Sequence, residues 1–384
     1  MNVLVDFLQK KNGKSLLERF RKLPEISINT IQSLEREYPE APIKELLKLA
    51  EIQQKNQTKI PEINEMVFSE KGVQQASSSL LASYHALKFS SFPTCADLCC
   101  GNGMDLVKIA VGKTRVYAVD NDETALDFAR YNAEVAGLKN VIFLCQPAEQ
   151  FDHSVEAIFA DPDRRPSNQR KVKPEEITPA LGVLLELRKL TENMAIKLSP
   201  AMDYHKLPIP VEHTFEFVSE NGTLKEILLC LGSLATPGVV RKAVLLPQNK
   251  TLINRNISVP VIPKGKYIFE PDKAIIRAGL VQECAQELGL NLLNERLALL
   301  TGDAFLPTDL GRFYQIREQF DYDIKKLKQY CRNEKIGELV IKTRGFPLTV
   351  EELRRRAKLK LAGKNKMVLF ILRTGNAHIM VLAE

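Results

Sequence analysis

The sequence predicts an α/β fold. It reads as a Rossmann-like, doubly wound sheet with a helical N-terminal domain before it and a small C-terminal α/β domain after it. Three observations carry this. Apolar strand-like runs alternate with amphipathic helical runs from about residue 94 to 198, the pattern of a parallel sheet covered on both faces. The first run, TCADLCC, leads directly into a glycine-bearing turn, Gly101-Asn102-Gly103. After the fifth strand, FEFVSENGTLKEILLCLG reads as an antiparallel hairpin turning at Asn221-Gly222.

Taken in order, residues 1–65 carry apolar residues at three- and four-residue intervals in LLERFRKL, TIQSLEREY and IKELLKLAEIQQ. Pro24, Pro39, Pro42 and Pro61 punctuate them. The sheet domain spans 66–247. SSSLLASYHALKF opens it as a helix with serines available as N-caps. MDLVKIAVG is a helix, TRVYAVD a strand, and DETALDFARYNAEVAG a helix stopped at Gly137. NVIFLCQ and VEAIFADPD are the third and fourth strands, ITPALGVLLELRKLT a helix, and NMAIKLSP the fifth strand. Residues 248–335 form an intermediate α/β segment with a helix through Ile275–Leu288. Residues 336–384 read as strand, helix, strand, strand: GELVIKTRG, VEELRRRAKLKL, MVLFILRTG and AHIMVLA.

Composition excludes several classes. Of 384 residues, 45% are hydrophobic and 26% charged, which fits a globular chain and argues against disorder. Trp is absent and aromatics are 7%, which disfavours sugar-stacking and aromatic-cage proteins. The seven Cys are odd in number and form no CxxC pair, and the five His show no HxxxH or HExxH spacing. They read as buried thiols in a reducing cytosol, with no metal site expected. The apolar run before the first lysines is too short for a signal peptide, and no run of about 18 apolar residues occurs. A cytoplasmic location is expected.

The strongest signal is Asp97-Leu98-Cys99-Cys100-Gly101-Asn102-Gly103 at the end of the first strand. Glycine belongs where the backbone turns sharply and approaches a ligand; a Cβ at Gly101 or Gly103 is expected to fill the ligand's space. Asp120 closes the second strand, where a carboxylate accepts from ribose hydroxyls. Such a loop and acid fit a nicotinamide nucleotide or S-adenosylmethionine. Three details favour the second. Leu106 stands where GxGxxG has its third glycine. Asp97 and Asp105 flank the loop and repel a pyrophosphate, but not the amino group and sulfonium of the methyl donor. The fourth strand ends in Asp161-Pro162, where a methyltransferase places its target atom.

These residues resemble class I S-adenosylmethionine-dependent methyltransferases. More narrowly, the chain resembles the bacterial methyltransferases carrying a C-terminal THUMP-like domain. The resemblance rests on Val73-Gln74-Gln75-Ala76-Ser77-Ser78 leading into SYHALKF, on ADLCCGNGMD, and on YIFEPDKAIIRAGLV with LVIKTRGFPLTVEELRRRAK. It implies cofactor contacts from Asp97, Cys99, Gly101, Gly103, Asp120, Asn121 and Ala148. Cys99 replaces the glycine of the commoner DLGCG form. N-methylating relatives carry D/N-P-P-Y/F where this chain has Asp161-Pro162-Asp163-Arg164, so base stacking on a ring is lost. The expected catalytic residues are Asp161, to orient or deprotonate the nucleophile, Pro162, and Arg164, to stack by its guanidinium or hold a phosphate. The plainer reading pairs Arg164 and Arg165 with Asp161 and Asp163. The fifth strand ends in Ser199, not Cys, so covalent C5 methylation is disfavoured and transfer to N or O preferred.

The net charge of +7 is unevenly placed. Lys342, Arg344, Arg354, Arg355, Arg356, Lys358, Lys360, Lys364, Lys366 and Arg373 crowd the last segment, and Arg164, Arg165, Arg170, Lys171 and Lys173 follow the fourth strand. Both clusters can track phosphates, and THUMP domains accompany RNA-modifying enzymes. RNA is therefore the expected partner. The rivals are a methyltransferase of small molecules or proteins, and a non-catalytic protein that binds the cofactor and RNA.

Overall fold

A computed structural model describes residues 2–10, 12–23, 27–164, 176–262, 265–359 and 361–384. The chain divides into two compact units: Met1–Glu216 with Glu226–Val240, and Phe217–Lys225 with Arg241–Glu384.

The first unit begins with α1 (Val3–Gln9), α2 (Gly13–Arg21), α3 (Ile28–Glu37) and α4 (Ile43–Asn56), then α5 (Glu70–Gln75) and α6 (Ser79–Lys88). Ser78 caps α6, its hydroxyl accepting from Leu81 N at 3.1 Å, as the run of serines predicts. Strands and helices then alternate through β1 (Thr94–Leu98), α7 (Met104–Ile109), β2 (Arg115–Asp120), α8 (Glu123–Val135), β3 (Val141–Cys145) and β4 (Ala157–Ala160). A two-residue ladder follows, β5 (Asp163–Arg164) against β6 (Ile177–Thr178), then α9 (Leu181–Glu186) and β7 (Met194–Leu198). The hairpin strands are β8 (His213–Glu220) and β9 (Thr223–Leu231). Asn221 and Gly222 both take left-handed φ, 50° and 76°, as a two-residue type I′ turn requires.

The strand order is β9-β7-β4-β1-β2-β3. β7, β4, β1, β2 and β3 run parallel, and β9 joins β7 antiparallel. Chain order reverses between β1 and β4, so the crevice beyond their carboxyl ends is the switch point where open α/β sheets bind ligands. The N-terminal helices cover α8. Leu4, Leu8, Leu16, Phe20 and Leu46 share one core with Phe128 and Tyr131. Burying each such side chain contributes about 1.5–3 kcal/mol, so these helices are firmly joined to the sheet's outer layer.

In the second unit β10 (Arg241–Leu246) pairs antiparallel with β11 (Lys250–Ile253). β12 (Tyr267–Pro271) leads to α10 (Lys273–Ala278) and α11 (Val281–Leu288). The single helix expected through Ile275–Leu288 is thus two, because Gly279 takes φ 68° and ends the first. The remaining elements are β13 (Asn291–Leu292), β14 (Leu300–Gly302), β15 (Gly311–Asp321), α12 (Ile324–Asn333), β16 (Ile336–Arg344), α13 (Val350–Ala357), β17 (Asn365–Thr374) and β18 (Ala377–Ala383). They form a seven-stranded sheet in the order β13-β14-β12-β15-β18-β17-β16. Among the described residues no helix is long and apolar enough to cross a membrane.

Candidate active site

β1 carries the chain to the switch point, and the turn there is built from left-handed residues. Cys99, Gly101 and Gly103 have φ of 61°, 52° and 81°. For Cys99 this conformation costs roughly 1–2 kcal/mol. Cys100 N donates to Val119 O at 3.1 Å and ties the loop to β2. A Cβ on Gly101 would meet no atom within 4 Å, so this glycine opens onto free space. A Cβ on Gly103 would stand 3.0 Å from the Ala129 Cβ. Gly103 therefore serves the close approach of α8, not the ligand space that the sequence suggested.

Asp120, at the end of β2, accepts from Gly101 N at 2.8 Å and Asp122 N at 3.0 Å. The loop backbone thus aims this carboxyl, and burial raises its pKa. Asn121 is exposed beside it, and Ala148 is buried in a short 3-10 turn after β3. Asp97 is 1% exposed, and neither of its carboxylate oxygens has a hydrogen-bond partner among the described residues. Burial pushes it well above the usual carboxylate range, and Asp105 and Asp161 nearby add to this. A buried carboxyl without a partner calls for an explanation, and a ligand with a cationic donor is one.

β4 delivers the third part. Asp161 N donates to Leu98 O at 3.1 Å, which sets Asp161 beside the glycine loop. Its side chain is 33% exposed, while Pro162 is buried. Asp163 accepts from Lys71 at 3.0 Å and Gln75 at 2.7 Å, both on α5. Lys197 thus holds Asp161, and Lys71 and Gln75 hold Asp163; the expected pairing of these acids with Arg164 and Arg165 falls on side chains outside the described residues. Arg164 pairs through its backbone with Ile177. Its side chain, with Arg165, Arg170, Lys171 and Lys173, lies outside the described residues.

Behind Asp161 stands a set of charges that sequence reasoning missed. Lys197 of β7 reaches Asp161 Oδ2 at 2.5 Å, Ser77 Oγ at 3.1 Å and Asp105 Oδ2 at 3.8 Å. Ser77 donates to Asp105 at 2.8 Å. His85 of α6, fully buried, faces Asp105 through Nδ1 and Glu226 through Nε2, each at 2.6 Å. Burial disfavours the imidazolium, yet Glu226 and Asp105 outweigh it and raise His85 to about 10. Burial likewise opposes the Asp105 carboxylate, but Lys197 and His85 hold it down at about 2. Asp105 is thus neutralised from behind. Its expected role as a second acid facing the loop's ligand falls to Asp97 alone. The missed signal lies in the pattern: Lys197 and Glu226 each interrupt an apolar strand, and His85 sits in an apolar helix.

The loop is also braced from α5. Asn102 Oδ1 accepts from Ser69 N at 3.1 Å, and Asn132 of α8 donates to Asn102 O at 2.8 Å. Gly72 makes room for this amide: a Cβ there would lie 1.7 Å from Asn102 Oδ1.

In the second unit part of the basic cluster is already engaged. Lys342 and Arg344 both contact Glu270, Lys366 pairs with Glu338 at 2.6 Å, and Arg354 donates to Leu339 O at 2.8 Å. Arg355, Arg356, Lys358 and Lys364 are exposed; Lys360 lies outside the described residues. A groove of about 870 Å³ between the 305–309 segment and the sheet is lined by Phe313, Val340 and Met367, with Arg312 and Lys366 set against Glu338 and Glu384. Its lining includes neither the glycine loop nor Asp97, Asp120 or Asp161.

A family profile described as a methyltransferase domain matches residues 93–164. One described as THUMP domain-like matches residues 311–384. An uncharacterized S-adenosylmethionine-dependent methyltransferase, found in two strains of Mycobacterium tuberculosis, is 28% identical over 316 residues, covering 82% of this chain and 86% of the relative. A Porphyromonas gingivalis protein assigned as a methyltransferase has a crystal structure similar at a TM-score of 0.75 and 20% identity, covering 97% of this chain and 96% of that one. That likeness speaks to fold. Fold, loop and profile together define a Rossmann-like methyltransferase. The chain carries a methyltransferase domain and, over its last residues, a THUMP-like domain, and it is an S-adenosylmethionine-dependent methyltransferase like its curated relatives.

The buried histidine makes a stability prediction. Because the folded His85 pKa lies above the unfolded value of about 6.5, its contribution is complete below that pH. It is lost as pH rises through about 10. His85→Gln removes the cation between Asp105 and Glu226, leaving Asp105 only Lys197 and Glu226 no cation in contact among the described residues, and is expected to cost about 3–5 kcal/mol at pH 7. Urea unfolding of both proteins from pH 7 to 10 measures this: the wild type should weaken across the window, and the variant should start weaker and change less.

Proposed function

We propose that this protein methylates RNA at a nitrogen or oxygen atom by direct transfer. The observation that carries the proposal is the position of Asp161: a partly open carboxylate beside the glycine loop, with the unpartnered Asp97 buried nearby. S-adenosylmethionine, when bound, supplies an electrophilic methyl group on a sulfonium. Asp97 suits its ammonium, Asp120 its ribose hydroxyls, and Asn121 and Ala148 its adenine, with Cys99, Gly101 and Gly103 forming the turn against it. Asp161 accepts a hydrogen bond from the acceptor's amino or hydroxyl group and orients its lone pair. Pro162 offers a backbone carbonyl to the same group, and Arg164 a cation for a phosphate.

Covalent chemistry fits less well. Ser199 is buried, and its hydroxyl accepts from Ala201 N at 3.2 Å. Burial and the carboxylates of Asp120 and Asp161 push the Cys99 thiol up, away from a reactive thiolate. RNA as the acceptor is supported by the THUMP-like match and by the exposed arginines of α13. In this reading residues 1–65 cover the catalytic domain of 66–247, 248–335 lead to the tail of 336–384, and the protein works in the cytoplasm.

Incubation with tritium-methyl donor and fractionated RNA, DNA and protein tests the proposal; label in the RNA fraction is the expected result. Asp120→Ala should weaken binding of S-adenosylmethionine about ten- to a hundredfold, since a charge-assisted hydrogen bond is worth roughly 1.5–3 kcal/mol. Calorimetry on the folded variant reads this directly. Asp161→Ala should leave that affinity nearly intact and cut turnover at least about a hundredfold; wild-type turnover would remove Asp161 from the site.

The tail is tested by salt. Arg355→Gln with Arg356→Gln, leaving Arg354 on Leu339, should weaken binding of unfractionated cellular RNA. The slope of log affinity against log salt should flatten by roughly 0.7–0.9 for each phosphate no longer neutralised. An unchanged slope would favour a small molecule or protein as acceptor.

A further inference from the structure

We infer that Lys197 is the positioning residue of the transfer site, fixing the orientation of Asp161 and favouring its ionised form. The inference rests on the reading of Asp161 as the group that receives the acceptor.

Lys197 projects from β7 one strand away from the end of β4, where Ala160 pairs with Ile196. Its side chain is 11% exposed, against 33% for Asp161, so the ammonium lies on the inner side of the carboxylate. It occupies Oδ2 and, among the described residues, leaves Oδ1 free to receive a donor. Among the described residues, the charged groups set against Asp161 are Asp97 from β1, Asp105 from α7, Glu226 from β9 and Lys197 from β7. Three of these four are acids and disfavour a further negative charge. Lys197 is the one cation among them, and it is in contact. Burial raises Asp161 and Lys197 opposes the rise.

Lys197 is not itself a base. It faces both Asp161 and Asp105, which hold its proton on. The charges behind it also stop it from cancelling Asp161. Along Asp161, Lys197, Asp105, His85 and Glu226, three carboxylates alternate with two cations, leaving one net negative charge. Asp161 is the most exposed of these three carboxylates, at 33% against 8% and 4% for Asp105 and Glu226. A lone Lys–Asp pair would present the acceptor with a neutral dipole; this alternation presents it with a carboxylate.

Carbon-13 NMR of the full-length protein, labelled at the aspartate carboxyls and without ligand, tests this. The Asp161 signal is the one that disappears in Asp161→Asn. Its titration midpoint should rise by about 1–3 pH units in Lys197→Met, the range for removal of an adjacent opposite charge. Lys197→Arg should bring it back toward the native value. If Lys197→Met does not fold, Lys197→Met with Asp105→Asn removes one buried charge of each sign, and its midpoint should exceed that of Asp105→Asn alone. An unmoved midpoint in either comparison overturns the role of Lys197, whatever Asp161 does. A moved midpoint together with wild-type turnover in Asp161→Ala overturns the site reading instead, and leaves Lys197 the partner of a structural carboxylate.

Discussion

The fold of the first unit depends on a buried alternation of charge. Taking a carboxylate or ammonium out of water costs several kcal/mol, and only close opposite charges with good hydrogen bonds offset that. Lys197, Asp105, His85 and Glu226 come from β7, α7, α6 and β9, with Asp161 just past β4. Each can be buried only if the next is in place. The alternation therefore fixes a helix, the first turn after the glycine loop and three strand ends against one another. The crevice inherits its geometry from that requirement.

The crevice is acidic on both sides of the loop. Asp120 is aimed by backbone N–H groups, Asp97 is buried without a partner among the described residues, and Asp161 is backed by a cation. Such a surface suits a donor carrying positive charge and an acceptor offering N–H or O–H. It is poorly suited to phosphate. Any polyanionic acceptor must have its backbone held by other groups. Of the basic residues in the C-terminal segment, several are already committed to Glu270, Glu338 and Leu339.

Much of this was legible in the residues. The parallel sheet followed from apolar runs, the hairpin from Asn221-Gly222, and the loop from its glycines and Asp97. These are local signals, each contained in one element and its neighbours. The charge alternation was not legible, because His85 and Glu226 are 141 positions apart and Asp161 and Lys197 are 36 apart. A charged residue inside an apolar strand announces that a partner exists, but only the sheet order supplies it. The same limit explains Gly103. Its left-handed turn was readable, whereas its neighbour across the gap, Ala129, belongs to a helix packed back by the tertiary fold. Gly279 is the opposite case: a local stop signal hidden inside a run of otherwise helical residues.

Gly72 and Asn102 are thirty positions apart, yet they share one small volume. Neither can change freely while the other stays. A relative with any side chain at the first position must carry a shorter residue at the second, or tilt the short helix away from the turn. The two sites should therefore vary together across related chains. Their joint state reports how tightly the segment before α6 is clamped to the turn, a property that the turn's own motif leaves unwritten.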